Sequence, residues 1–191
     1  MENIEIEYKV MINKDDYYKI ISSLDEYKAF EQVNYYYDTF NNDLKKNNLS
    51  FRIRHILNNN TYLMTIKEKL SEGRKEYEFY LKDNNPLNIN KETKDFLSKR
   101  NIDYKELHII GKLKTLRYEI KMNNCLLCFD KNNYYNNEDY EVECEASSML
   151  IAKKNLCEYL DNYHIKYTQS QKSKQKRAIE NKIWYNKSTS Q

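Results

Sequence analysis

The sequence predicts an α+β fold: eight mostly antiparallel β-strands closing into a barrel, covered by about four helices. Three observations carry that expectation. Five short stretches alternate charged with apolar residues, and in a strand residues two apart share a face. Asparagine pairs stand where those stretches stop. Four further segments read as helices, the first with apolar residues at clear helical spacing.

The elements follow in chain order. Strand one covers about 4–11, where Glu5, Glu7 and Lys9 alternate with Ile4, Ile6, Tyr8 and Val10. A helix over 14–27 has Tyr17, Ile20, Ile21, Leu24 and Tyr27 on one face. Strand two is 32–39. Strands three and four, 49–57 and 61–69, form a hairpin over Asn58-Asn59-Asn60. Strand three carries Arg52 and Arg54 between Phe51 and Ile53. Strand five, 74–81, interleaves Arg74, Glu76 and Glu78 with Tyr77 and Phe79. Asn90 is a suitable N-cap for a short helix reaching about Arg100. Strand six, 112–122, alternates Arg117, Glu119 and Lys121 with Leu116, Tyr118, Ile120 and Met122. Strand seven is 125–131. Strand eight, 139–145, alternates Glu141, Glu143 and Glu145 with Tyr140, Val142 and Cys144. Helices over 147–163 and 171–185 follow, the last with Ala178, Ile179 and Trp184 available for docking. Two Gly and one Pro leave turn formation to Asn41-Asn42, Asn58–Asn60, Asn84-Asn85, Asn123-Asn124 and Asn136-Asn137. Residues 1–185 make one domain, and 186–191 a loose polar tail.

Two-faced strands allow two barrels. One has charges outside and an apolar lumen. The other has charges inside and apolar residues outside, and needs helices to cover its wall. The available helices favour the second.

Composition narrows the function. Aromatic residues make up 14% of the 191, and Tyr supplies 19 residues, too ring-rich for a disordered chain. A net charge of +3, from 32 basic and 29 acidic residues, argues against a nucleic-acid partner. No apolar run reaches membrane-spanning length, and the N-terminus lacks a signal-peptide core, so the expected location is cytoplasmic with no membrane partner. Cys125 and Cys128 form a CxxC, but in a strand a spacing of three turns the thiols to opposite faces, so reduced, buried thiols are expected. The three His lack metal spacing.

Several segments carry a family signature in order. Glu5-Ile6-Glu7-Tyr8-Lys9 resembles the ExExK motif of CYTH domains, the triphosphate tunnel metalloenzymes. Tyr36-Tyr37-Asp38-Thr39, Leu49-Ser50-Phe51-Arg52-Ile53-Arg54, Thr65-Ile66-Lys67 and Arg74-Lys75-Glu76-Tyr77-Glu78 resemble its next four strands. Leu116-Arg117-Tyr118-Glu119, Asp130 with Tyr140–Glu145, and Ser173-Lys174 with Arg177 resemble its later ones and its C-terminal segment. ExExK alone is weak; the ordered set over about 3–180 is specific. Two positions depart: Cys144 replaces a larger apolar residue and is read as outward-facing, and no proline precedes Lys174.

The resemblance implies an eight-stranded tunnel with a charged interior, one or two Mg²⁺ or Mn²⁺ ions and a triphosphate-bearing small molecule. On that reading Lys9, Arg52, Arg54, Lys67, Arg74, Arg117, Lys174 and Arg177 bind substrate. Glu5, Glu7, Glu141, Glu143 and Glu145 are the metal candidates, because Mg²⁺ takes a few carboxylates and keeps water and phosphate oxygens. Lys9, Arg54 and Glu145 are the catalytic candidates; Glu76, Glu78 and Glu119, as partners for the arginines, and Asp130 support them. Asp38 is read as holding a tunnel arginine, Tyr36 and Tyr37 as core rings, and Lys69, Glu72 and Lys121 as solvated charges. The implied activity is hydrolysis of inorganic triphosphate, with nucleoside triphosphates as further substrates. Adenylate cyclase, thiamine triphosphatase and a non-catalytic polyphosphate or nucleotide-binding module are the alternatives.

Overall fold

The computed structural model describes residues 2–24, 27–71, 73–122 and 124–189, with side chains for 3–182. The expectations for Glu72, Asn123, the Trp184 side chain, Ser190 and Gln191 lie outside these. Ten strands form one antiparallel sheet: β1 (Glu2–Glu5), β2 (Glu7–Ile12), β3 (Phe30–Asp38), β4 (Leu49–Ile56), β5 (Thr61–Lys69), β6 (Arg74–Leu81), β7 (His108–Met122), β8 (Cys125–Tyr134), β9 (Asn137–Ala146) and β10 (Thr168–Gln169). Its order is β1-β6-β5-β4-β3-β7-β8-β9-β2-β10, and it curls strongly into a half-barrel. Five helices accompany it: α1 (Lys14–Ile21), α2 (Asp43–Lys46), α3 (Lys91–Ser98), α4 (Met149–Asn162) and α5 (Lys174–Thr189).

Ten strands replace the expected eight for two reasons. The N-terminal strand breaks at Ile6: β1 pairs with β6 through Glu5 and Arg74, and β2 pairs with β9 through Glu7 and Glu145. One continuous segment therefore reaches both flanks of the curl, and the Ala146 N–H donates to the Ile6 carbonyl at 3.1 Å. The second addition is the two-residue β10 beside β2.

Helix ends follow local chemistry. Asn13, Asn90 and Ser148 cap α1, α3 and α4 by accepting from the backbone N–H groups of Asp16, Thr93 and Ile151. α1 stops at Ile21, short of the expected 27, because the hydroxyls of Ser22 and Ser23 donate to the carbonyls of Lys19 and Ile20 at 2.9 and 2.7 Å. Asn42 and Asn60 take the left-handed backbone that glycine takes elsewhere, and so do Asn48 and Asn101. Gly73 has φ +75°, and a Cβ there would meet the Glu5 carbonyl oxygen at 2.6 Å.

The outer, apolar face of the sheet packs under helices. Val10, Leu127, Phe129, Val142 and Cys144 lie against Tyr17 and Ile20 of α1 and Ala152, Leu156 and Leu160 of α4. Phe51, Ile53, Met64 and Ile66 lie against Leu44 of α2 and Leu97 of α3. Cys144 faces outward as expected, and all four cysteines are free thiols. A third cluster, Tyr36, Leu113 and Tyr134, receives Ala178 of α5 on the inner side of the curl. Gly111 permits that approach, since a Cβ would already sit 3.3 Å from Ala178.

Candidate functional site

With the apolar faces turned out to the helices, the strands send their charged rows inward around a cavity of about 300 Å³. β1 and β2 supply Glu5, Glu7 and Lys9. β4 and β5 supply Arg52, Arg54 and Lys67, and β6 supplies Arg74, Glu76 and Glu78. β7 adds Arg117 and Glu119, β9 adds Glu143 and Glu145, and the first turn of α5 adds Lys174. Three expected site residues do not line it: Asp130, Glu141 and Arg177.

Those three form the floor of an ion-pair network. Arg117 donates from Nε and Nη2 to the two Asp130 oxygens at 2.7 and 2.6 Å, and from Nη2 to Glu143 at 2.7 Å. The Lys174 ammonium lies 2.7 Å from Asp130, 2.8 Å from Glu141 and 2.7 Å from Glu143. Arg177 grips Glu141 with both Nη atoms at 3.1 and 2.7 Å, and donates to the Tyr134 hydroxyl and the Lys172 carbonyl. Burial pushes the Glu143 carboxyl up, but Lys174, Lys9 and Arg117 outweigh it and hold it well below the ordinary range. Against the same burial, Arg117 and Lys174 hold Asp130 low, and Lys174 and Arg177 hold Glu141 low. Burial opposes the charge on Lys174, yet Asp130, Glu141 and Glu143 keep its affinity for a proton well above normal. These charges compensate one another without any ligand.

A second group is uncompensated. Arg52 donates from Nη2 to the Thr65 hydroxyl at 3.2 Å, and its Nε is buried without a hydrogen-bond partner. Arg54 donates from Nε to the Asn34 side-chain oxygen at 3.1 Å. Among the described residues, no carboxylate lies within ion-pair distance of Arg52, Arg54 or Arg74. Burial, then the nearby Arg52 and Arg117, push Arg54 down to about 10. Between the two groups, Lys9 is shared by Glu7 and Glu143, and Lys67 by Glu5 and Glu76.

Glu145 is the acidic counterpart of the lone arginines. No cation pairs with it among the described residues. Burial, and then Glu5, with Glu143 and Glu7 adding to it against Arg117, push its carboxyl up to about 7. Burial and neighbouring like charge both disfavour its ionised form. Among the described residues, no three acidic, His or Cys side chains are arranged to enclose a metal. A hard cation such as Mg²⁺ needs only one or two carboxylates when phosphate oxygens and waters complete its shell. Glu5, Glu7 and Glu145 fit that requirement. Glu141, completely buried under Arg177 and Lys174, does not.

Two smaller expectations are corrected. Among the described residues, Asp38 holds no arginine: its carboxylate accepts from the backbone N–H groups of Thr39, Leu44 and Lys45 at 2.8, 2.9 and 3.3 Å, capping α2. Glu76 pairs with Lys67, not with an arginine. Tyr36 is a core ring as expected, in the third cluster, and it also borders the cavity. Reading by charge alone also passed over Asn34, Thr65 and Ser50. Each lies two residues, or one cross-strand step, from an inward arginine, so period-two parity applied to neutral polar residues would have found them.

The amino-acid sequence has known relatives. Residues 3–178 match the family described as CYTH domain. A protein of Bacillus subtilis (strain 168) named "Putative triphosphatase YjbK" is 34% identical over 152 residues, which are 76% of this chain and 79% of that one. A crystal structure described as a "putative adenylate cyclase" from Bacillus halodurans superposes with a TM-score of 0.76 at 28% identity, over 90% of this chain and 96% of that one. A protein from Hippeastrum, described as a "putative adenylyl cyclase" with a dominant triphosphatase activity, shares the fold with a TM-score of 0.76 at 24% identity, over 90% of this chain and 93% of that one.

Proposed function

Because this chain belongs to the CYTH domain family, the triphosphate tunnel proteins, we propose that it is a metal-dependent triphosphatase of small molecules, with inorganic triphosphate as its main substrate. The observation that carries this reading is the pairing of three inward arginines, which have no carboxylate partner among the described residues, with a crowded carboxylate wall across one cavity. The curled sheet, bridged by β1 and β2, serves as the tunnel. A triphosphate supplies the negative charge that Arg52, Arg54 and Arg74 lack. Guanidinium forks match its oxygens in pairs, and Lys9 and Lys67 add point charges.

Glu5, Glu7 and Glu145 would hold Mg²⁺ or Mn²⁺, which when bound neutralises phosphate charge and polarises the bond to be broken. The reaction adds water to a terminal phosphorus and breaks its bond to the bridging oxygen. Diphosphate leaves, and the water's proton goes to a base. Glu145, which has no Lys or Arg partner among the described residues, is assigned that proton. Arg52 and Arg54 stabilise charge that builds on the leaving oxygens, an effect worth about a hundredfold or more in rate per donor. Arg117, Lys174 and Arg177 are neutralised within the protein. Their role is to fix Glu143 and the start of α5 beside the cavity.

A nucleoside triphosphate is the second reading, hydrolysed or cyclised. It is favoured by a larger groove of about 940 Å³ that shares Ser50, Lys67, Arg74, Ser173 and Gln175 with the tunnel. The test is incubation with inorganic triphosphate, ATP and thiamine triphosphate, each with Mg²⁺, Mn²⁺ or EDTA. Phosphate release from inorganic triphosphate that EDTA abolishes is the expected result. Cyclic AMP with diphosphate from ATP selects the cyclase. Tight binding without turnover under either metal makes the protein a binding module and overturns the hydrolase.

A further inference from the structure

We infer that Asn34 is a positioning residue that fixes Arg54 through a neutral acceptor and so keeps the arginine's charge available to an anionic substrate; this rests on the triphosphate reading above. Asn34 lies on the inward row of β3 and is 1% exposed. It stands directly across from Arg54 in the β3–β4 register. Its side-chain oxygen accepts from Arg54 Nε at 3.1 Å. That bond orients the guanidinium and leaves its two Nη groups to point elsewhere.

The comparison with Arg117 shows what the neutral group does. Both arginines line one cavity, and both donate from Nε across one strand pair: Arg54 to Asn34, Arg117 to Asp130. Asp130 is a carboxylate, takes a second bond from Nη2 and neutralises Arg117. Asn34 is the uncharged isostere of that group, and no carboxylate lies within ion-pair distance of Arg54 among the described residues. Two arginines held alike therefore differ in net charge. One is tied up in the wall, and the other carries a whole positive charge into the cavity. A buried cation without its counter-ion is costly to a folded protein unless a ligand supplies one, and burial accordingly pushes Arg54 down to about 10.

The test compares two near-isosteric substitutions by calorimetric titration with inorganic triphosphate in EDTA, where no turnover intervenes. Asn34→Asp keeps the acceptor and adds the charge that neutralises Arg54. Asn34→Leu removes the acceptor and adds no charge. The expected result is at least tenfold weaker binding for Asn34→Asp, about threefold for Asn34→Leu, and a thermal midpoint for ligand-free Asn34→Asp no lower than that of the wild type. A merely structural hydrogen bond predicts the reverse order, because the aspartate preserves it. Wild-type affinity in Asn34→Asp, or a larger loss in Asn34→Leu, overturns the inference and leaves the triphosphatase intact. If Asn34→Asp does not fold, a tenfold or greater loss in Asn34→Leu overturns it. Failure of the wild type to bind triphosphate removes the function reading, and this inference with it.

Discussion

Arg54 and Arg177 should respond in opposite ways to the same substitution. Replacing either by Met keeps much of the side-chain volume and removes the charge. Arg177 is 9% exposed and grips Glu141, which is completely buried. Arg177→Met strips that carboxylate of one of its two cations, and breaking a buried pair from one side costs about 3–5 kcal/mol. For a domain of this size, at about 2–4 °C per kcal/mol, the thermal midpoint falls by roughly 6–20 °C. Among the described residues, Arg54 has no carboxylate to strand. Each tenfold change in proton affinity is worth about 1.4 kcal/mol. A guanidinium pushed down to about 10 therefore costs the ligand-free fold roughly 3 kcal/mol, trimmed to about 1–2 by partial exposure to solvent. Arg54→Met relieves that cost but leaves the buried Asn34 oxygen without its donor, a loss of about 1–3 kcal/mol. The midpoint of the ligand-free protein should therefore stay within a few degrees of the wild type while triphosphate turnover falls about a hundredfold. Calorimetry of both variants without metal or ligand, with phosphate release under Mg²⁺, reads both quantities. The reasoning is refuted if Arg54→Met destabilises as much as Arg177→Met, or if a folded Arg177→Met loses turnover as deeply as Arg54→Met.

Glu7→Gln should lower phosphate release about a hundredfold or more with little change in thermal midpoint, and EDTA should abolish release in the wild type until Mg²⁺ or Mn²⁺ is restored; unchanged turnover in Glu7→Gln would mean that this wall does not serve the chemistry. Glu145, raised to about 7, binds its proton more tightly folded than unfolded, so its cost is absent below the unfolded value near 4.3 and complete above 7. Metal-free Glu145→Gln should therefore match the wild type near pH 4.5 and exceed its stability by about 1–3 kcal/mol at pH 8, measured by urea unfolding; equal stabilities at pH 8 would contradict the crowding. Gly73→Ala, at φ +75° and with its new Cβ 2.6 Å from the Glu5 carbonyl oxygen, should lose about 1–3 kcal/mol, and wild-type stability there would show that the β1–β6 connection yields easily.

Strand identity and facing were legible because the period of two is a local property. Glu5, Glu7, Arg52, Arg54, Arg74, Arg117, Glu143 and Glu145 all turn inward as their alternation with apolar residues requires. Cys144 turns outward by the same rule. Helix starts at Lys14 and Lys91 were equally local, since Asn13 and Asn90 cap them. Three features escaped. The break at Ile6 splits one amphipathic run between two neighbours, and the alternation continues across it without a mark. The last helix, expected to end near 185, runs to Thr189. Asp38 caps α2, a helix too short to show a period.

From the sequence alone come the two chemistries of each strand, the side on which each residue lies and the family that the ordered motifs spell out. Only the tertiary structure divided the inward charges into those already neutralised and those without a counter-ion among the described residues. Arg117 and Arg54 look alike in the chain, each an arginine on the charged row of a strand that alternates with apolar residues. What separates them is the residue across the neighbouring strand, Asp130 for one and Asn34 for the other. Coulomb energy falls with distance in space and is indifferent to distance along the chain, so this division appears only once the sheet has curled.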